Sequence, residues 1–210
     1  AVGENDTELP AWNLLDHCPV APDELTFFEE MLQRVSTTHA VDKSRVFVTG
    51  HSLGSLMTQY LGLARPELFA AIAPCSGVLF LNAYQVFMKK LPVINRRQAV
   101  LPVWMFAGEE EQWLLDHMPL PGNATGISID TWRNLNGQPD PDDHSYESFR
   151  KDNGRFRDYV FPDAESRPIL RYTWVQELPH ATMPEMSFRI WNEFFSKLSR
   201  GEDGEVILAP

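Results

Sequence analysis

The stretch from Val46 to Pro74 restricts the possible folds more than any other part of this 210-residue chain. It starts as a short run of β-branched and aromatic residues, continues through Gly-His-Ser-Leu-Gly at residues 50–54, and becomes an apolar segment with helical spacing. This order predicts a buried strand, a sharp turn that presents Ser52 at the end of a sheet, and a helix that begins directly after the turn. A strand followed at once by a helix is typical of α/β domains.

Ser52 is the candidate nucleophile of this turn. Because the backbone at Ser52 must be strained there, we expect no room for a side chain at residue 50 or residue 54, which explains the two glycines. The helix after Ser52 directs the positive end of its dipole at the turn, so the backbone N–H of Leu53 is a candidate donor to an oxyanion.

The other segments alternate between strand and helix patterns. Residues 23–35 have apolar side chains at three- and four-residue spacings, which predicts an amphipathic helix with Asp23 as its N-cap. Strands are predicted at 45–50, 68–77, 101–108 and 169–176, and helices at 53–64 and 184–198. The last helix is expected to bury Met186, Ile190, Trp191, Phe194, Phe195 and Leu198. We therefore expect a single α/β domain over residues 1–210, with a mostly parallel sheet flanked by helices.

The pattern degrades between residues 111 and 168, where the sequence is polar and rich in Pro and Asp. A stretch of this length is too long for an ordinary connection. We therefore expect an irregular insertion or cap-like excursion over residues 112–168, which either flanks the functional site or is a surface decoration.

Composition and charge exclude several classes of partner. The formal net charge is −11 and the isoelectric point is near 4.9, whereas a nucleic-acid interface needs clustered Lys and Arg. No run approaches the roughly 18–20 apolar residues that span a bilayer, so we expect neither nucleic acid nor a membrane as partner. Cys18 and Cys75 allow at most one disulfide, and whether they are bridged stays open. We expect no metal site, because a zinc site usually has three or four protein ligands, with pairs of them close together in the sequence, and the two cysteines are far apart.

A serine hydroxyl needs a base to take its proton. In chains with a nucleophile turn of this kind, the acid and then the histidine follow the serine in the sequence. His180 meets this requirement, because it lies between the last predicted strand and the closing helix. His51 adjoins the serine and is expected to point away from it. Position excludes five of the six histidines: His17, His39, His51, His117 and His144.

The acid that orients the histidine is expected after an intermediate strand. Three glutamates, Glu109, Glu110 and Glu111, follow the strand predicted at 101–108. Runs of like charge are usually solvated, so we expect at most one of them to take part. Rival acids follow at Asp116, Asp140, Asp142 and Asp143.

Five segments carry a family resemblance: DELTFFEEML, VDKSRVFVTGHSLGS, RPELFAAIAPCSG, LPVWMFAGEEE and LPHATMPEMSFRIWNEFF. In this order they resemble the polyhydroxybutyrate depolymerase and feruloyl esterase group, the carbohydrate esterase family 1 branch of the α/β-hydrolases. The similarity covers roughly residues 12–198 and is weak over 112–168. It implies the α/β-hydrolase fold and an esterase that forms an acyl-enzyme without a metal or an organic cofactor.

The resemblance also assigns the site. The family's serine and histidine match Ser52 and His180. Its His-Gly-x-x-Asp sequence matches residues 107–111, which places the acid at Glu111, with Glu in place of Asp and Glu110 as the next choice. Glu109 is the remaining alternative.

The family carries several strands before its nucleophile, and a loop after one of them donates the second oxyanion N–H. Only 44 residues precede Arg45 here, and they contain no long apolar strand. We therefore expect the chain to be the C-terminal portion of a longer hydrolase, lacking its N-terminal strands, with the missing segment as a partner and as the source of that donor.

The resemblance implies feruloyl or acetyl esters of plant polysaccharides, or a polyester, as substrate, and it implies secretion. A serine peptidase and a catalytically weak binding module on the same fold are the alternatives. Trp113, Trp132 and Trp174 are the candidates for an aryl-binding cleft, although aromatic residues at such spacings usually belong to the core.

Overall fold

A central sheet of six strands organises the computed structural model, which describes residues 12, 14, 23–79, 100–111, 122–138 and 146–209. The strands are β1 (Phe47–His51), β2 (Ala71–Cys75), β3 (Val103–Gly108), β4 (Arg150–Asn153), β5 (Phe156–Phe161) and β6 (Leu170–Val175). Their order across the sheet is β1-β2-β3-β6-β5-β4. The four strands from β1 to β6 run parallel, and β5 and β4 continue the sheet in antiparallel pairing.

Helices flank this sheet: α1 (Glu24–Thr38), α2 (Leu53–Ala64), α3 (Ala124–Leu135) and α4 (Pro184–Arg189). The carboxylate of Asp23 accepts the N–H of Leu25 at 3.0 Å and caps α1, as the sequence predicts. The mostly parallel sheet with flanking helices confirms the predicted fold class. None of the helices described is long and apolar enough to cross a bilayer.

The apolar core forms two clusters. The larger contains residues of α2 together with inward residues of the sheet, such as Ile72, Met105 and Tyr172. The other contains Trp104 and Phe106 together with residues of the closing helical segment. A parallel sheet is normally covered in this way on both faces, which explains the nearly continuous apolar runs of β2 and β3.

The parallel strands end together at one edge of the sheet. His51 is the register partner of Cys75, and Gly108 is the register partner of Val175. Ser52 follows His51 directly, Glu111 lies three residues after Gly108, and His180 lies five residues after Val175. The pairing of the sheet therefore delivers these three side chains to the same edge.

The closing helix differs from the prediction. After α4 the chain continues as a π-helical turn (Ile190–Phe194), a 3-10 turn (Phe195–Lys197) and a short strand β7 (Leu198–Arg200), which pairs with β8 (Val206–Leu208). The π-helical turn changes the register of the side chains, so Phe194 and Phe195 are both buried. Trp191 is 52% exposed, and its expected burial is wrong.

The expectation of an irregular insertion over residues 112–168 is wrong for much of the part that the structure describes. Helix α3 and the β4–β5 hairpin are regular elements, and β5 joins the main sheet through β6. The hairpin lies at the edge of the sheet: β4 is charged and largely exposed, whereas Tyr159 and Phe161 of β5 are buried. Residues 112–121 and 139–145 lie outside the described part of the chain.

Candidate functional site

Ser52 lies at a strained turn between β1 and α2. Its φ of 59° and ψ of −118° are unfavourable for a residue with a side chain. The N–H of Ser52 donates to the carbonyl oxygen of Cys75 at 3.0 Å, which ties the turn to β2. A Cβ atom at Gly50 would lie 2.3 Å from the carbonyl oxygen of Gly54, so residue 50 must be glycine, as expected. A Cβ atom at Gly54 would meet nothing within 4 Å, so the corresponding expectation for residue 54 is wrong.

His180 lies in the loop between β6 and α4 and contacts Ser52. Its Nε2 is 2.9 Å from the Oγ of Ser52, although the two residues are 128 positions apart. Its Nδ1 is 3.0 Å from Oε2 of Glu111. When the carboxylate is ionised it can only accept, so Nδ1 carries the ring proton and Nε2 accepts the hydrogen bond of the serine hydroxyl.

The carboxylate of Glu111 is fully engaged. The residue is 0% exposed, one oxygen contacts His180, and the other accepts the N–H of Gly108 at 2.6 Å. Glu110 is exposed, and Glu109 accepts the N–H of Glu177 at 2.9 Å. The structure therefore places Glu111 of the three glutamates beside the imidazole. The rival aspartates at 116, 140, 142 and 143 lie outside the described residues.

Gly108 supports the acid and the histidine loop, and sequence reasoning did not single it out. A Cβ atom at this position would lie 2.2 Å from the carbonyl oxygen of Leu178 and 2.8 Å from that of Pro179. The loop that carries His180 thus runs directly against the backbone of β3. A glycine at the end of a strand, just before a glutamate run, was the available signal.

The expectation that His51 points away from the site is wrong. Its ring packs against the ring of His180, with centroids 4.6 Å apart and planes tilted by 41°. Burial lowers the pKa of His51 and the positive charge of a protonated His180 lowers it further, while the carboxylate of Glu111 acts in the opposite direction. The net lowering of the pKa favours the neutral form of the His51 side chain.

Leu53 is the first residue of α2, so its N–H has no carbonyl partner within the helix. It lies beside the Ser52 hydroxyl at the positive end of the helix dipole. An oxygen atom that develops negative charge next to Ser52 would find this donor available. Its side chain is 45% exposed.

The two candidate tryptophans that the structure describes, Trp132 and Trp174, pack with the core and not in an aryl-binding cleft. Trp132 is 2% exposed and donates its indole N–H to Gln59, so it belongs to the core. Trp174 packs against the same core, and Trp113 lies outside the described residues.

Cysteine and metal chemistry have little support among the described residues. Cys75 is buried in β2, and burial raises the pKa of its thiol to about 12. Cys18 lies outside the described part of the chain. The residues that the structure describes contain no group of His, Cys, Asp and Glu side chains suited to hold a metal ion.

Comparison with known proteins extends this picture. A profile of the prolyl oligopeptidase family matches residues 23–99. Poly(3-hydroxyalkanoate) depolymerase C of Paucimonas lemoignei is 37% identical over 54 residues, which are 26% of this chain and 13% of that protein. Feruloyl esterase B of Piromyces equi is 25% identical over 131 residues, which are 60% of this chain and 24% of that protein. The chain thus spans less than a quarter of the length of these relatives.

A solved structure, acetyl xylan esterase from Aspergillus awamori, superposes with a TM-score of 0.52 and 15% identity. The match covers 82% of this chain and 66% of that one, and at this identity it concerns the fold. The sheet and the nucleophile-type turn define the class: the chain has the α/β-hydrolase fold. Within that class its sequence is similar to the depolymerase and feruloyl esterase group.

Proposed function

We propose that the chain carries the reaction centre of a serine hydrolase that cleaves carboxylic esters through an acyl-enzyme. The observation behind this proposal is the continuous line of hydrogen bonds from Ser52 through His180 to the buried Glu111. A strained backbone costs free energy and is typical of functional sites. An imidazole that is oriented by a carboxylate and bonded to a serine hydroxyl is the arrangement that activates a serine nucleophile.

The proposed reaction begins when Oγ of Ser52 attacks the ester carbonyl carbon and Nε2 of His180 takes the hydroxyl proton. Glu111 holds the imidazole and stabilises the imidazolium that forms. The carbonyl oxygen becomes an oxyanion, which accepts the N–H of Leu53. The tetrahedral species collapses, the bond to the alcohol oxygen breaks, and His180 gives its proton to the departing alcohol.

The acyl group is then an ester of Ser52. Water attacks its carbonyl carbon while His180 takes a proton from the water molecule, and collapse of the second tetrahedral species returns that proton to Ser52. The carboxylic acid leaves and the enzyme is restored. Apart from the ester and water, each step uses only side chains and backbone groups of the protein, so the proposal includes neither a metal nor an organic cofactor.

The names of the similar proteins support a proposal for the substrate class. These names specify feruloyl esters, acetyl xylan and poly(3-hydroxyalkanoates), all of which contain carboxylic esters. We therefore propose feruloyl or acetyl esters of polysaccharides, or an aliphatic polyester, as substrates of the protein that contains this chain.

Pre-steady-state hydrolysis of p-nitrophenyl acetate tests the proposal. The expected result is a burst of about one nitrophenolate per protein, which is the signature of an acyl-enzyme. Ser52→Ala should abolish the burst, and Ser196→Ala, which alters a serine of the closing segment, should keep it. If the folded wild-type protein cleaves neither this ester nor methyl ferulate, the esterase proposal is wrong.

A serine peptidase is the second candidate, because the profile that matches residues 23–99 describes the prolyl oligopeptidase family. Oγ of Ser52, activated by the same hydrogen bonds, is also suited to attack the carbonyl carbon of an amide. Matched peptide and ester substrates with the same acyl group distinguish the two: the esterase proposal predicts cleavage of the ester only. A protein that binds these ligands without cleaving either one would instead be a binding module.

A further inference from the structure

His51 lies against the reaction centre, although none of the proposed steps uses it. It is the last residue of β1 and directly precedes Ser52. Both ring nitrogens of His180 are engaged, Nδ1 with Glu111 and Nε2 with Ser52. The 4.6 Å contact between the two imidazoles is therefore a packing contact of ring against ring.

The surroundings of His51 favour a neutral ring. Its Nε2 is buried and has no hydrogen-bond partner among the described residues, and a charged imidazole would need one. The titratable groups that face it are His180, Glu111 and Cys75, its register partner on β2. The residues of α4 that line the same groove, Met186 and Ser187, carry no charge.

His180 needs support from such a neighbour. It lies in a loop, its side chain is 33% exposed, and within the described part of the chain its ring is hydrogen-bonded through its two nitrogens, to Glu111 and Ser52. A rotation of the ring would break both hydrogen bonds at once. The ring of His51 packs against the imidazole at a centroid distance of 4.6 Å and opposes that rotation. Because this ring is neutral, it does not repel the imidazolium that forms during the reaction.

We propose that His51 is a positioning residue, whose uncharged ring packs on His180 and keeps the imidazole aligned between Ser52 and Glu111. This inference rests on the proposed function for its kinetic consequence, but the packing itself has a readout that does not depend on catalysis. Phenylalanine preserves a flat neutral ring at this position, whereas alanine removes the ring. The two variants therefore separate the packing of a ring from hydrogen bonding or proton transfer by the nitrogens of His51.

The test compares wild type, His51→Ala and His51→Phe by NMR and by ester hydrolysis. In wild type the Nδ1–H proton of His180, bonded to Glu111, should give a downfield signal, and His51→Ala should broaden or remove it. His51→Ala should lower kcat by about 10- to 100-fold with KM changed less than about twofold, because a small misplacement of a catalytic group costs that much. His51→Phe should retain the signal and remain within about threefold of the wild-type kcat.

Three results would overturn the inference. His51→Ala could keep both the signal and kcat, His51→Phe could fall as far as His51→Ala, or the loss could be in KM alone. If His51→Ala does not fold, the result for His51→Phe decides. If wild type cleaves no ester while its NMR signal still responds to His51→Ala, the proposed function is wrong and the positioning contact stands.

Discussion

Glu111 differs from its neighbours in the glutamate run by what its carboxylate contacts. It is fully buried, and its two oxygens reach the imidazole of His180 and the N–H of Gly108. The carboxylate of Glu109, two residues earlier, accepts the N–H of Glu177. These contacts separate a carboxylate that orients the imidazole from one that fixes the loop.

Glu111→Gln tests this assignment at the level of one residue. The amide keeps the size of the side chain but can no longer stabilise the imidazolium, so kcat should fall by roughly 10³- to 10⁴-fold with little change in KM. Glu110→Gln is the matched control, because the Glu110 side chain is exposed, and it should stay within about twofold. Equal losses in the two variants of steady-state ester hydrolysis would contradict the assignment.

Cys75 provides a second residue-level prediction, on stability against pH. Its native thiol pKa of about 12 lies above the ordinary value near 9. As pH rises past 9 the unfolded chain loses this proton first, so the free energy of unfolding should fall between pH 9 and 12. At pH 10.5 this loss is about 2 kcal/mol relative to pH 8.

Urea denaturation at pH 8 and pH 10.5 measures the effect. A Cys18→Ser background leaves Cys75 as the remaining thiol, and Cys75→Ala in the same background is the control. The control should lose less stability on alkalinisation than its parent. Equal losses would show that the thiol of Cys75 is not held protonated by the fold.

At the scale of elements, an ion pair ties α4 to the sheet. The guanidinium of Arg189 contacts both oxygens of Asp158 on β5, at 3.1 and 2.8 Å, and also contacts Glu193. The side chains of Arg189 and Asp158 are only 9% and 13% exposed, respectively. Arg189 also stacks over Trp104 and Phe156. Because α4 follows the His180 loop directly, this contact anchors the element next to the site.

Asp158→Asn should therefore lower the free energy of unfolding by about 2 kcal/mol, because it removes the more buried of the two carboxylates that pair with Arg189 and leaves only the more exposed Glu193. Asp152→Asn is the control: its carboxylate also pairs with arginines but is 49% exposed, so its loss should cost less than about 1 kcal/mol. Urea denaturation of the two variants at neutral pH measures both values. A smaller effect at residue 158 than at residue 152 would contradict the anchoring role.

Some elements could be predicted from the sequence and others could not. Helix α2 has the predicted bounds, because a strained turn starts it and Pro66 follows its end. The closing segment departs from an α-helix through a π-helical turn, and an apolar period of 3.6 cannot reveal that change. The β4–β5 hairpin was missed because Arg157 and Asp158 interrupt the apolar alternation, and their role depends on partners distant in the chain.

The residues of the candidate site also divide into those that the sequence predicts and those that it does not. The places of Ser52 and His180 follow from local rules, namely the turn after a strand and the loop after the last parallel strand. The choice among three adjacent glutamates depends on backbone geometry that their sequence does not specify. The contact of His51 depends on the path of a loop more than 100 residues away, and no local pattern signals it.

At the scale of the whole molecule, the outer edge of β1 is open among the described strands. An apolar groove lies on each face of this edge, one of about 120 Å³ against α1 and one of about 330 Å³ against the closing segment. Exposed apolar side chains line these grooves, Met31 the first and Trp191 the second. An exposed strand edge presents unpaired backbone N–H and C=O groups, so it can accept a further strand.

We propose that further polypeptide of the same protein, N-terminal to this chain, adds a strand to β1, with alternate side chains filling the two grooves. It would also supply the second oxyanion donor. The intact mass of the native protein should then exceed 24.0 kDa. A soluble, active monomer of about that mass would contradict the proposal.

Whether Ser52 is activated by its neighbours is measured most directly by mapping the adduct of a fluorophosphonate on the folded protein. Peptide mass spectrometry should find one modified residue, Ser52, in wild type and in Ser196→Ala. Ser52→Ala should give no adduct, and His180→Gln should react at least about 100-fold more slowly, because the serine then lacks its base. A folded wild-type protein that does not react, or that reacts at another residue, would contradict the assignment of Ser52, His180 and Glu111 as the reaction centre.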